Sequence, residues 1–235
     1  RYEQRLNFQL ESTTLKLLKR DIAMLNTISG DRIRYELKSI LQEHCPEKVL
    51  HRAEELEVLP KLSPALKNQG GLADNFKRAR GISSPDSPPT GLYLALLVYP
   101  LTNQETRQLI SFLKLSKALT RTSNDTISLK AKLPALADPK LKPSRIYRLL
   151  HNYSPQAVTA NLISGRESPA RRHIQSFLDK LRYVKPALTG NDLQKMGIAP
   201  GPRMKEILQR LHEARLNGKV TNKQSEVELV KGWLD

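Results

Sequence analysis

The sequence predicts an all-α chain, elongated and built of many short helices. Three observations carry that expectation. Apolar residues recur at i, i+3, i+4 and i+7 through most of the 235 residues. Alternating segments and an Asn-Gly turn between apolar runs, the marks of hairpins, do not occur. Pro and Gly cut the periodic pattern into pieces of a few turns.

Taken in order, Ser12 or Thr13 is placed to cap a helix bearing Leu15, Leu18, Ile22 and Leu25. Ser29-Gly30 opens a second, with Ile33, Leu37, Ile40 and Leu41 on one face, stopped before Pro46. A third carries Val49, Ala53 and Leu56. Gln69-Gly70-Gly71 reads as a turn, and Gly81 to Pro89 as a loop. Leu92 to Val98 is apolar on every side and so predicts a buried helix. Thr106 to Leu119 predicts one amphipathic helix with Leu109, Phe112, Leu113 and Leu119 inward. Further helices are expected at 125–136, 144–151, 155–163 and 168–183, the last with Ile174, Phe177, Leu178 and Leu181 on its core face.

Near the C-terminus, two helical segments flank the turn Met196-Gly197-Ile198-Ala199-Pro200-Gly201-Pro202. The second sets Met204, Ile207, Leu208 and Leu211 in one stripe. Pro202 suits a first helical turn, and Gly201 would let another backbone come close. Free N–H groups at that helix start, beside Arg203 and Lys205, suit a phosphate. A plain helix corner with solvated charges is the other reading of the same residues. Thr221 to Gln224 and Ser225 to Glu228 both fit a capping box for a terminal helix with Val227, Val230 and Leu234.

Composition narrows function. A single cysteine, Cys45, excludes an internal disulfide framework and points to a reducing, cytoplasmic setting. With His44 and His51 it supplies too few ligands for structural zinc. The longest apolar run is far too short to span a bilayer, so no membrane partner is expected. The net charge of +16 is unevenly spread. Residues 1–60 carry 10 Lys+Arg and 10 Asp+Glu; residues 61–185 carry 21 against 7; residues 186–235 carry 8 against 6. A basic surface gathered in one region is the footprint of a polyanion-binding protein.

Catalytic signals are missing. The acidic runs Glu54-Glu55-Leu56-Glu57 and Glu226-Val227-Glu228 lie on expected helices and read as solvated faces. No phosphate-binding Gly-rich loop, nucleophile elbow or His-Glu-x-x-His pair occurs. The five histidines sit singly. No catalytic residue and no metal site is therefore expected in this chain.

Cations instead gather. Lys140, Lys142, Arg145 and Arg148 lead into one helix, and Arg171, Arg172, Arg182 and Lys185 follow on or beside another. On a continuous helix Arg171 and Arg182 would share a flank roughly 16 Å apart, enough to meet phosphates several nucleotides apart. Tyr147, Tyr153 and Tyr183 interleave and could stack on bases. With Gly201, Arg203 and Lys205, these cations are the expected RNA-binding set.

These residues fall in a recognisable order. RYEQRLNFQLESTTLKLL resembles the segment after the catalytic head of the class II tRNA nucleotidyltransferase/poly(A) polymerase family, with Asn7 where that pattern carries Gly. SGDRIRYELKSIL resembles its neck motif: Arg32 and Glu36 match, and Asp31 stands for the first Glu. KPSRIYRLL, RRHIQSFLDKLRYVKPALTGNDL and GIAPGPRMKEILQRLHEARLNGKV resemble the body and tail of the bacterial branch.

The resemblance implies a neck at 1–60, a basic body at 61–185 and a tail at 186–235. It implies the RNA-binding part of an enzyme that adds CCA, CC or A to tRNA 3′ ends, gripping the acceptor–TΨC region. On that reading the chain, which begins at Arg1 without an initiator Met, packs against an upstream head. That head would hold the catalytic carboxylates, Mg²⁺ and ATP or CTP; this chain needs no cofactor of its own. Asp31, Arg32 and Glu36 would brace the neck, the last two as an i,i+4 pair. The alternative is a non-catalytic helix-hairpin-helix DNA-binding module, for which GIAPGPRMKEIL is the matching hairpin.

Overall fold

The structure, a computed structural model, describes residues 1–67 and 70–234. Among them are fifteen α-helices, several 3-10 turns and no strand. Two compact units share these elements: residues 1–132 with 153–166, and residues 133–152 with 167–235.

In the first unit α1 (Tyr2–Leu6) ends at Asn7, which is left-handed at φ 54. Asn bears that conformation better than most residues other than Gly. α2 (Ser12–Asp21) is capped by the Glu11 carboxylate accepting from the Thr14 N–H, so the cap lies one residue before the expected Ser12 or Thr13. The N–H groups of Thr13 and Thr14, both directed at it, lower the Glu11 carboxyl pKa to about 2. Its face of Leu15 and Leu18 is only half-buried, and no residue of α2 or of the 3-10 turn Ile22–Thr27 is buried. α3 (Gly30–Leu41) buries Ile33, Leu37 and Leu41 as predicted. α4 (Pro46–Glu55) and α5 (Val58–Leu62) follow.

Of the expected turn at 69–71, Gln69 lies outside the described residues; Gly71 is left-handed at φ 82 and starts α6 (Leu72–Ser83). α6 takes in Gly81, Ile82 and Ser83, so the loop is shorter than the Gly-Ser-Pro composition suggested. α7 (Thr90–Val98) has Leu92 to Val98 all buried. It is the centre of the core, packed against α6, α9 (Lys117–Lys132) and α11 (Pro155–Ser164). Inside, Asn161 donates to the carbonyls of Thr126 (3.1 Å) and Ala157 (2.9 Å).

The single helix expected over 106–119 is two. α8 (Asn103–Phe112), opened by a Thr102/Glu105 capping box, stops before Lys114, which is left-handed at φ 45. Phe112 consequently turns outward, 39% exposed. Here Gly30 is indispensable: a Cβ on it would lie 1.7 Å from the Phe112 carbonyl oxygen. Arg34 donates to the carbonyls of Leu113 (3.1 Å) and Lys114 (2.6 Å), closing the end of α8.

The second unit holds α10 (Pro143–Leu150), α12 (Pro169–Asp179), α13 (Gly190–Lys195), α14 (Pro202–Leu216) and α15 (Lys223–Lys231). α10 packs on both α12 and α14. Leu188, Leu193, Met204, Ile207, Leu211 and Val230 close a small core. The cap of α15 is Asn222 with Ser225, between the two expected boxes. Glu226 is fully buried, contrary to its reading as a solvated residue. Its carboxylate accepts the N–H groups of Ala187 (3.1 and 2.8 Å) and Leu188 (2.8 Å) and pairs with Arg215.

Candidate nucleic-acid interface

All eleven RNA-binding residues expected from the sequence fall in the second unit. The turn after Leu136 brings Lys140 and Lys142 to the start of α10, where Pro143 sits at the first helical position and leaves Arg145 and Arg148 outward. Ser168 caps α12 by accepting from the Arg171 N–H at 3.2 Å. On this helix Ala170, Ile174, Phe177 and Leu178 face inward, which turns Arg172 to solvent.

The cations are not equivalent. Arg148 pairs with Glu213, and Arg171, half-buried, with Glu167 at 2.6 Å. Arg182 lies 4.6 Å over the Tyr183 ring and donates to its hydroxyl. Lys140, Lys142, Arg145, Arg172, Lys185, Arg203 and Lys205 are exposed and meet no carboxylate within salt-bridge range among the described residues. Arg171 and Arg182 do not share a helical flank as expected. α12 ends at Asp179, Lys180 leaves helical geometry at φ −131, ψ −60, and Leu181–Tyr183 form a 3-10 turn.

At the C-terminal hairpin, Gly197 is left-handed at φ 85 and Gly201 caps α14 at φ 150. No backbone approaches Gly201, since a Cβ there would meet nothing within 4 Å. Its conformation, rather than close packing, requires glycine. No side chain caps α14. Its first N–H groups, beside Arg203 and Lys205, keep the polarity that favours an anion.

The tyrosines separate. Tyr183 is 63% exposed. Tyr147 is half-buried in a ring cluster, stacked on His151 (4.9 Å, 10°) and edge-on to His212 (4.7 Å, 81°). His212 has no aromatic partner in its own neighbourhood of the sequence; the packing of α10 against α14 brings it to Tyr147. Tyr153 belongs to the first unit, where its hydroxyl lies 3.4 Å from Ser128.

The neck residues are also in the first unit. Asp31 pairs with Arg34 (2.9 Å) and Lys114 (3.1 Å), and Lys114 holds its carboxyl below the usual range. Glu36 pairs with Arg1 at 3.5 Å rather than with Arg32, which faces solvent beside an apolar groove of about 580 Å³. Among the described residues no group of three or more His, Cys, Asp or Glu is placed to hold a metal ion. Among the described residues no helix is long and apolar enough to cross a membrane.

Residues 90–230 match the family model described as tRNA nucleotidyltransferase domain 2. The chain belongs to the tRNA nucleotidyltransferase family. Residues 7–69 match a second model, “Probable RNA and SrmB- binding site of polymerase A”. An A-adding tRNA nucleotidyltransferase of Geobacter sulfurreducens is 28% identical over 97% of this chain and 28% of its own length. Another, of Halalkalibacterium halodurans, is 26% identical over all of this chain and 55% of its own length. This member of the family thus spans about half, or less, of those relatives. A Thermotoga maritima CCA-adding enzyme complexed with tRNA shares the fold at TM-score 0.76 and 20% identity, over all of this chain and 59% of that one. CCA-adding enzymes solved with ATP and with CTP match at TM-scores of 0.74 and 0.75 and 21% identity, over all of this chain and 58% of each.

Proposed function

We propose that this chain is the tRNA-holding part of an enzyme that adds CCA, CC or A to tRNA 3′ ends in the cytoplasm. One observation carries the reading: in the second unit of a tRNA nucleotidyltransferase-family chain, Lys140, Lys142, Arg145, Arg172, Lys185, Arg203 and Lys205 are exposed and meet no carboxylate among the described residues. Unpaired cations are what phosphate binding needs, because a cation already paired must first give up its partner. Phosphate contacts position RNA without reading its sequence, which suits a protein that accepts every tRNA. The division into neck, body and tail is the functional organisation we assign.

The catalytic carboxylates, Mg²⁺ and the ATP or CTP site belong on this reading to a head outside the chain. We assign that head to the apolar groove of α3 to α5, lined by Ile28, Tyr35, Ile40 and Val58. The exposure of Tyr2 (59%), Phe8 (64%), Met24 (63%) and Tyr35 (69%) supports a partner at the neck.

The test incubates the chain with tRNA, Mg²⁺ and labelled ATP or CTP, and measures binding in parallel. Salt-sensitive tRNA binding without incorporation is expected; incorporation would refute the placement of catalysis elsewhere. The α13–α14 hairpin, with its two positive-φ glycines, also supports a duplex-DNA module. Equal affinity for duplex DNA and tRNA would favour that reading.

A further inference from the structure

We propose that the groove between α8 and α9 is a second polynucleotide site, in the first unit, that seats one nucleotide of a single-stranded RNA segment. This rests on the RNA-binding reading above but on different residues and a different unit.

The two helices pack together across the short turn at Lys114 and so run antiparallel. Each turns the same pattern into the groove. On α8, Asn103, Arg107, Ile110 and Ser111 stand at i, i+4, i+7 and i+8; on α9, Asn124, Ser128, Ala131 and Lys132 repeat the spacing. Such spacing defines one helix face, about 12 Å long over eight residues. The lining encloses about 520 Å³. That volume falls within the ordinary range of small-ligand sites.

The chemistry of the lining is selective. It holds two cations, two amides, two hydroxyls and an apolar patch, and no carboxylate, in a chain with 23 Asp and Glu. Arg107 has no ionic partner among the described residues. The nearest helical acids are already engaged: Glu105 in the Thr102 capping box, and Asp125 by the Ser154 N–H at 2.8 Å. Lys132 stands 5.3 Å over the Tyr153 ring, which adds an aromatic face at one end. Arg107 and Lys132 suit a phosphate, Ile110 the face of a base, and Asn103 and Asn124 its polar edge. Ile110 and the two amides can meet a base's face and edge only if that base is unpaired, so the occupant is a single strand.

A free nucleoside phosphate offers the same groups, and the experiment separates the two sources. Binding of the full chain to a short homopolymeric single-stranded RNA, to tRNA and to ATP is measured across a salt series. Arg107→Ala with Lys132→Ala should weaken single-strand binding and lower the salt slope by roughly 1.4, at about 0.7 per phosphate contact. Asn124→Leu should weaken it with the charge unchanged. Lys38→Ala with Lys61→Ala removes equal charge from exposed sites elsewhere in the unit and should cost less. Equal losses in the two lysine- and arginine-removal variants, or an unchanged Asn124→Leu, would overturn the groove. Full displacement of the strand by ATP would overturn the single-strand occupant. If the parent chain binds no RNA at all, the underlying reading falls instead.

Discussion

Replacing Glu226 by Ala should be the most damaging single change in the second unit. The carboxylate is fully buried and joins three parts of that unit: α15, which carries it, Arg215 on α14, and the Ala187 and Leu188 N–H groups before α13. Truncation leaves the Leu188 N–H, itself buried, without an acceptor, which costs about 1–3 kcal/mol. It also leaves Arg215 unpaired, and breaking a buried ion pair from one side costs about 3–5 kcal/mol. The two figures overlap, so a total of about 4–5 kcal/mol is expected, a large share of the 5–15 kcal/mol typical of a domain. Glu226→Gln keeps an acceptor oxygen but points an amide at existing donors, and should fall between Ala and the parent. The readout is urea unfolding followed by fluorescence of Trp233, the chain's one tryptophan, which packs on this core. A loss below about 1 kcal/mol for Glu226→Ala would refute the keystone role, since that is the size of an ordinary surface change.

Four further outcomes follow from the structure. Gly30→Ala drives a Cβ into the Phe112 carbonyl and should cost about 1–3 kcal/mol in thermal unfolding. Gly81→Ala, with open space around it inside α6, should instead stabilise by about 0.5–1 kcal/mol; equal effects at both sites would contradict the packing described. Arg172→Ala with Arg203→Ala should weaken binding of unrelated tRNAs alike and lower the salt slope by roughly 1.4–1.8, whereas an unchanged slope would place the phosphates elsewhere. Asp192 is held well below the usual carboxylate range, first by Lys223 and then by its capping bonds to Thr189. A depressed carboxylate adds stability above its unfolded value and loses it as pH falls toward the folded one. The stability gap between the parent and Asp192→Asn should therefore be constant above about pH 4 and close as pH falls below it; a gap that widens in acid would reverse the assignment.

Helices were legible wherever apolar periodicity and punctuation agreed, as in α3, α7 and α14. The failures share one cause: a local break carried by a residue with no breaking signature. Lys114 takes a left-handed conformation because the chain must turn α9 back along α8, and nothing in Phe112-Leu113-Lys114-Leu115 announces it. Lys180 likewise ends α12 inside a run that keeps its apolar spacing through Leu181, and that break removes the shared flank of Arg171 and Arg182. Glu226 was misread because periodicity assigns a face to an acid only by analogy with its neighbours. Its partners, Ala187, Leu188 and Arg215, are 39, 38 and 11 residues away. The α8–α9 groove needed both stripes at once, and each alone is only a polar helix face.

The distribution of charge acquires a mechanism once the pairs are known. In residues 1–60, where cations and acids are equal in number, five arginines are paired internally. Arg1 goes to Glu36 and Glu43, Arg52 to Glu3 and Glu55, Arg20 to Asp21, and Arg34 to Asp31. Arg80 from α6 takes up Glu47 as well. The second unit spends its acids differently. Glu226 and Asp192 serve the fold, Glu167 and Glu213 hold one arginine each, and exposed cations remain after every such pairing. Net charge alone would not distinguish a polyanion surface from a solvated one, because paired and unpaired cations count alike. What counts for phosphate binding is the unpaired remainder, since only those cations gain a new partner without losing an old one. The part of that remainder that we assign to RNA lies on or just before α10, on and just after α12, at the start of α14, and in the α8–α9 groove. The salt slope of RNA binding should therefore track mutation of these cations and ignore those of Arg1, Arg20 and Arg52, although all of them carry the same charge.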